Sequence, residues 1–336
     1  MMPSAMETVH DQYKGRKVLV TGGLGFIGSN IAIRLVELGA SVTIVDSMHP
    51  ACGANYFNIE PVKKDVEVVK GDCCDLALMR KLVRGQSHIF NLAGHVSHID
   101  SMKDPFSDLT MNCTAPLTVL EACRHENRDA HIVYAGTRQT YGRPEELPLV
   151  ETQRLRPTDI NGVNKMAGEW YHMVYHLVYG MATVSLRLGN TYGPRQLVKH
   201  EKQGFTGWFI RQAIDGEEIQ LFGNGQQLRG FTYIDDAVEA FLIACSSHNT
   251  KGDFFNIGGN KPYSLEEFVQ LLVKVTGRGS YRIVPFPEDR KAIDIGSVYS
   301  SWAKFNFVTG WAPRVTLEQG VERTIHYYQQ HRLHYW

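Results

Sequence analysis

The chain has 336 residues, and its 35 Lys+Arg are balanced by 35 Asp+Glu, so the formal net charge is zero. A protein that tracks phosphate backbones carries a basic excess, so nucleic acid is excluded as the main partner. Apolar residues make up 43% and charged ones 21%, an ordinary globular mix long enough for two domains or one α/β unit with an appended lobe.

The first half alternates strand and helix. Lys17–Thr21 is a short apolar run that ends in glycines, and Ile27, Ile31, Leu35 and Leu38 recur at helical spacing until Gly39. Strands follow at Ser41–Val45 (ending in Asp46), Val66–Lys70, His88–Ala93, His131–Ala135 and Ala182–Leu188. β-branched runs separated by helices of this length predict α/β architecture with a parallel, doubly wound sheet, a Rossmann fold. After Asn190 the segments shorten. Asp235–Cys245 reads as a helix and Phe254–Ile257 as a strand returning to the sheet. Residues 15–189 plus 235–259 then form a cofactor domain, and 190–234 plus 260–336 a smaller α/β substrate lobe. No apolar run approaches the roughly 20 residues of a membrane-spanning helix, so no membrane contact is expected. The polar first residues lack the apolar core of a secretory leader. Six cysteines at 52, 73, 74, 113, 123 and 245 form no C-x-x-C pair and no zinc pattern, which suits reduced thiols in the cytoplasm and no metal.

Thr21-Gly-Gly-Leu-Gly-Phe-Ile-Gly28 follows a strand and opens a helix. Gly22, Gly25 and Gly28 allow a tight turn, close approach to a pyrophosphate and close helix–strand packing, with Phe26 and Ile27 supplying helix N-terminal N–H groups. Asp46 can accept hydrogen bonds from a ribose 2′-hydroxyl and would repel a 2′-phosphate, which favours NAD over NADP. Asp72 and Cys73, after the third strand, are placed to meet the adenine, while Asp75 reads as a helix cap.

These residues, together with Asn91-Leu-Ala-Gly-His95, Ala135-Gly-Thr-Arg-Gln-Thr-Tyr-Gly142, Leu186-Arg-Leu-Gly-Asn-Thr-Tyr-Gly-Pro-Arg195, Arg229-Gly-Phe-Thr-Tyr-Ile-Asp-Asp236 and Arg290 with Asp294, carry a resemblance. Over about 15 to 330 the chain resembles the extended short-chain dehydrogenases/reductases, within them the nucleotide-sugar epimerases of the UDP-galactose 4-epimerase kind. The resemblance implies tightly held NAD that is recycled while a sugar hydroxyl, usually at C4, passes through a transient ketone. It implies that Leu92, Ala93 and Gly94 line the cofactor, that Asn112 supports the site, that Thr137 bonds the reacting oxygen and that Lys165 holds the nicotinamide ribose. It also implies that Asn190, Arg195, Phe222, Arg229, Arg290 and Asp294 bind a nucleoside-diphosphate sugar.

One departure bears on mechanism. The family's Tyr-x-x-x-Lys reads here Asn161-Gly-Val-Asn-Lys165. An amide does not ionise, so the ordinary general base is absent. The replacements are Lys165 with a lowered pKa or a water held by Thr137, which rank first, then His98, Asp159 or a charged group on the substrate. Dehydratases of the family place Asp-Glu after the Thr, and related decarboxylases often a Glu. Arg138-Gln139 weighs against both and leaves an acidic sugar open. The expectation is therefore a UDP-sugar C4 epimerase with a non-Tyr proton path. A non-catalytic NAD and nucleotide-sugar binding protein, or a dehydratase or reductase, is the alternative. Apolar stripes at Leu109, Cys113, Leu117 and Leu120 and at Met166, Trp170, Val174, Leu177 and Val178 point, by the same resemblance, to a homodimer. Pro116 is expected to kink the first of these helices and to displace Asn112.

Overall fold

The computed structural model describes residues 11–50, 52–201, 204–286 and 295–336. In chain order its elements begin with β1 (Lys17–Thr21), α1 (Phe26–Glu37), β2 (Ser41–Asp46), β3 (Val66–Lys70), α2 (Leu76–Leu82) and β4 (His88–Asn91). Then come α3 (His98–Lys103), α4 (Ala115–Glu126), β5 (His131–Thr137), α5 (Ile160–Tyr179), β6 (Ala182–Leu188) and β7 (Asn190–Tyr192). The remainder holds α6 (Phe205–Asp215), β8 (Glu218–Phe222), β9 (Leu228–Tyr233), α7 (Ile234–Ser246), β10 (Asp253–Ile257), β11 (Pro262–Ser264), α8 (Leu265–Thr276), β12 (Ser280–Val284) and α9 (Leu317–Gln330).

Seven parallel strands form one sheet in the order β10-β6-β5-β4-β1-β2-β3. The strand order reverses between β1 and β4, which is where an open α/β sheet leaves a crevice at the carboxyl ends of its strands. The central strands are buried along both faces. Val18 and Val20 pack into one core with Ile31 and Leu35 of α1 and Phe241 of α7. Leu19 between them packs into a second core with Met79, Val119 and Leu120. Smaller sheets, β11-β9-β7 and β12-β8, stand beside the large one.

The helix boundaries follow local chemistry. The Asp75 carboxylate accepts from the N–H of Leu78 and starts α2, as read from the sequence. Asp159 caps α5 on Gly162 N–H, and Gly180, at φ +69°, stops it. A buried ion pair fixes α5 to the sheet: Arg187 of β6 meets Glu169 at 2.5 Å, with exposures of 0% and 1%. Ser185 and Tyr141 complete its hydrogen bonds, so Tyr141 is structural.

One local expectation is corrected. β4 ends at Asn91 rather than Ala93, because the N–H groups of Leu92 and Ala93 donate to Thr21 Oγ1 at 2.9 and 3.0 Å instead of to a neighbouring strand. The distortion expected at Pro116 takes the form of a π turn. The chain stays helical from Pro105 to Glu126, and its hydrogen-bond ladder widens at Thr110–Thr114, directly before Pro116, whose missing N–H leaves a gap in an α ladder.

Candidate active site

A cleft of about 1760 Å³ opens over the carboxyl ends of the strands and runs from the first glycines to Phe222 and Arg229. Its cofactor side is built by backbone. Gly22 has φ +65°, and a Cβ there would stand 3.0 Å from the Ala93 Cα; a Cβ on Gly28 would stand 2.4 Å from the Gly22 carbonyl. β1, β4 and α1 therefore meet at distances that only glycine permits. The N-cap of α1, Gly25, has no side-chain cap, so the first-turn N–H groups at Phe26 and Ile27 face the cleft, a ready anion site. Asp46 lines the same wall. Its carboxylate accepts from the N–H groups of Leu24 and Met48 at 3.1 and 2.9 Å, which opposes the upward push of burial on its pKa. A carboxylate has acceptor sites beyond those two. Asp72 and Cys73 line the far end, where Asp72 turns the chain by accepting from Cys74 N–H. An uncapped helix N-terminus, a carboxylate with no Arg or Lys among Ser47, Met48 and His49, and a glycine cradle together fit a dinucleotide without a 2′-phosphate.

The reacting end is held by β5 and α5. Thr137 ends β5 on the cleft wall, its Oγ1 accepting from Gln139 N–H at 3.2 Å. Lys165 reaches the same wall from the second turn of α5, and its Nζ donates to the Ala135 carbonyl at 3.2 Å. Gly94 makes room for it, since a Cβ there would lie 3.0 Å from Nζ. Burial lowers the Lys165 pKa to about 8, although Asp108, Cys113 and Cys52 oppose the shift. Leu92, Ala93 and Gly94 line the cleft beside it.

Asn161 sits one turn before Lys165. Its amide donates to the His95 carbonyl at 2.7 Å and to Asp108 Oδ2 at 2.8 Å. Asn164 donates to the other Asp108 oxygen at 2.8 Å, and His95 Nδ1 lies 3.3 Å from Oδ2. Burial would raise the Asp108 pKa, but hydrogen bonds from His95, Asn161, Asn164 and Asn112 outweigh it and hold the carboxyl low. Asn112 is buried in the π turn, where it exchanges hydrogen bonds with the His95 backbone. It does not line the cleft, so its role is to position the loop after β4 rather than to touch a cofactor. Asp108, the hub of this cluster, escaped sequence reasoning. The available signal was Asn161 and Asn164, two amides at i,i+3 on one helix face. His98 does face the cleft, with Nδ1 at 2.5 Å from Asp159 and Nε2 at 2.5 Å from the Gln139 amide nitrogen.

Across the cleft, Asn190, Phe222 and Arg229 all line the wall. Asn190 donates to the Gly230 carbonyl, and Arg229 donates to the carbonyls of Leu228 and Gly296. Arg195 is corrected. Its guanidinium turns away to the Asn58 carbonyl and Asn30 Oδ1 and stacks on Tyr327, so it braces the scaffold instead of the cleft. Arg290 and Asp294 lie outside the described residues. The sequence reading passed over Gln196 and Gln227, two cleft glutamines whose Oε1 atoms are buried and have no partner among the described residues. No spacing marked them, because their elements are short and irregular.

The model of the NAD dependent epimerase/dehydratase family matches residues 18–258. The chain is 30% identical over 313 residues to a putative UDP-glucose 4-epimerase of Methanocaldococcus jannaschii, covering 92% of this chain and 97% of that protein. It is also 30% identical over 322 residues to a dTDP-glucose 4,6-dehydratase of Streptomyces griseus, covering 94% of each. The crystal structure of UDP-glucose 4-epimerase with UDP-glucose from Thermotoga maritima superposes with a TM-score of 0.84 at 27% identity, over 94% of this chain and 99% of that one. The glycine cradle, the Asp46 wall and the family match lead to one statement: the chain belongs to the NAD-dependent epimerase/dehydratase family, and NAD is its cofactor.

Proposed function

We propose that the protein is a nucleotide-sugar epimerase that inverts C4 of a UDP-sugar by way of a 4-keto intermediate, with Lys165 as the proton acceptor. The observation that carries this is the Lys165 amine. It is buried, lines the cleft beside Thr137, and has its pKa drawn down to about 8. Bound NAD would rest on Gly22, Gly25, Phe26, Ile27, Gly28 and Asp46 and supplies the acceptor, and then the donor, of the sugar hydride. Thr137 hydrogen-bonds the reacting sugar oxygen. The neutral Lys165 amine takes its proton as the carbonyl forms and, as the ammonium, returns the proton when the carbonyl is reduced from the other face. His98, held between Asp159 and Gln139, lines the same cleft. Asn190, Arg229 and Phe222 are assigned to the nucleoside diphosphate. Trp170, Val174, Leu177 and Val178 leave α5 apolar and exposed, Leu177 to 83%, and this face supports a homodimer.

A second reading, a protein that binds NAD and a nucleotide sugar without turnover, is favoured by Asn161. Its amide is committed to Asp108 and His95, so it moves no proton. Turnover separates the two. The holoprotein is incubated without added cofactor with UDP-glucose, UDP-galactose, their N-acetyl forms and UDP-glucuronate, and the anomeric signals are followed by proton NMR. Appearance of a C4 epimer establishes the first reading. Unchanged sugars, with NAD bound, leave the second. A deoxy-keto product or steady NAD consumption would point to a dehydratase or reductase instead.

A further inference from the structure

A buried carboxylate stands behind Asn161. Asn161 lines the cleft, whereas Asp108 does not and is 1% exposed. The two Asp108 oxygens accept from neutral amides, Asn161 on one and Asn164 on the other. His95 Nδ1 adds a third contact, while His95 Nε2 is buried with no partner among the described residues, which suits a neutral ring that donates from Nδ1 alone. Among the described residues no Lys or Arg comes within ion-pair distance of Asp108. Hydrogen bonds from four uncharged side chains thus keep the carboxyl ionised and leave its charge uncompensated.

Lys165 has the opposite deficit. Its Nζ donates to a carbonyl and lies 5.1 Å from the Tyr134 ring, with no carboxylate of the described residues within ion-pair distance. The two groups share a frame. Asn161 and Asn164 lie within about one turn of Lys165 on α5. On the other side, a Cβ on Gly94 would stand 2.6 Å from Asn112 Oδ1 and 3.0 Å from Lys165 Nζ, so the cluster and the amine close on the same glycine. The other ionisable groups around Lys165 are neutral where an amine titrates, or are spent elsewhere. Burial pushes the Cys52 and Cys113 thiols up to about 11 and raises Tyr134 as well. Burial lowers His172 to about 4, and Glu169 is paired with Arg187. A buried amine that accepts a proton becomes a buried cation, which an anion in the same low-dielectric region stabilises. We propose that Asp108 is a positioning residue whose buried negative charge, held through Asn161 and Asn164, is the counter-charge that lets Lys165 keep the proton it takes from the substrate. The source of that proton rests on the epimerase reading above, whereas the coupling of the two charges does not.

The test is a pH titration by carbon NMR of the NAD-loaded protein, labelled at the lysine Cε and aspartate Cγ positions. The Lys165 and Asp108 signals are assigned by their loss in Lys165→Met and Asp108→Glu. Asp108→Asn should lower the Lys165 midpoint by about one pH unit, and the pH–rate profile of C4 epimer formation should move down with it. Asp108→Glu keeps the charge, and Asn164→Ala removes a clamp but keeps the charge, so each should move the midpoint by less than about 0.3 units. A purely structural cluster would instead respond to Asn164→Ala as strongly as to Asp108→Asn. In the wild type the Asp108 Cγ should hold its ionised shift from pH 6 to 10 and step at the Lys165 midpoint. A protonated Asp108, or one blind to Lys165, overturns the proposal even where Asp108→Asn fails to fold, and so does an unmoved midpoint in a folded Asp108→Asn. The titration needs no turnover. A lowered midpoint in a protein that converts no UDP-sugar upholds the coupling and removes the epimerase reading, and an unmoved midpoint in an active protein does the reverse.

Discussion

The two walls of the cleft are built on opposite plans. On the cofactor wall the polar groups already have partners in the protein: Thr21 Oγ1 holds Leu92 and Ala93, Asp46 holds Leu24 and Met48, and Asp72 holds Cys74. On the facing wall, Arg138 Nη1 and the Oε1 atoms of Gln139, Gln196 and Gln227 are buried without partners among the described residues. The first wall is preorganised by backbone and glycine. The second also holds four buried polar atoms that have no hydrogen-bond partner among the described residues. The difference teaches where specificity resides, because a buried polar atom left unpaired is costly and a ligand that pairs it gains that amount in discrimination.

Substitutions on each wall should therefore fail in different ways. The largest effect is expected at Lys165→Met, with turnover lower by about 10²–10⁴-fold and stability not reduced, measured as epimer formation at equal bound NAD. In the proposed mechanism the neutral amine is the acceptor, and protonation removes it. The wild-type rate should rise about tenfold per pH unit below roughly 8 and level off above it, and a rate that is flat from pH 6 to 9 would exclude Lys165. Glu169→Ala strands the buried Arg187 charge and should cost about 3–5 kcal/mol in denaturant unfolding, the scaffold's counterpart to losing the base. Gly28→Ala puts a Cβ against the Gly22 carbonyl and should cost about 1–3 kcal/mol, with loss of bound NAD seen by absorbance. The smallest effect is on the other wall. Arg138→Met should shift stability by no more than about 1 kcal/mol, and upward if at all, since it removes a buried unpaired charge. A large destabilisation there would mean that the two walls do not differ as described.

The same contrast explains what could be read from residues alone. Strand runs such as Lys17–Thr21 and Ala182–Leu188 were legible to the residue, the first as a short apolar run and the second as apolar residues alternating with Thr183, Ser185 and Arg187. Gly22, Gly28 and Asp46 were legible because backbone constraint fixes both residue type and spacing. Arg195 was misplaced because an arginine after Gly-Pro looks the same whether it faces a cleft or Asn58 and Asn30 across the fold. The Asp108 cluster joins residues from 95 to 164, and nothing local marks a partner so far along the chain. Arg138 was visible as a departure in type. Its unpaired Nη1 was not, since that depends on what surrounds it.

The π turn at Thr110–Thr114 sets how far the chain's length can vary there. A π turn closes its hydrogen bonds one residue later than an α turn, so this helix carries one residue more than a regular ladder needs. Deleting a single residue between 110 and 114 would let the α ladder run through, but would rotate the preceding segment by about 100° relative to α4. Asp108 would swing away from Asn161 and Asn164, and Asn112 from the His95 backbone. The extra residue is thus a phase setting. Any change of length in this segment is therefore expected to break the Asp108 cluster.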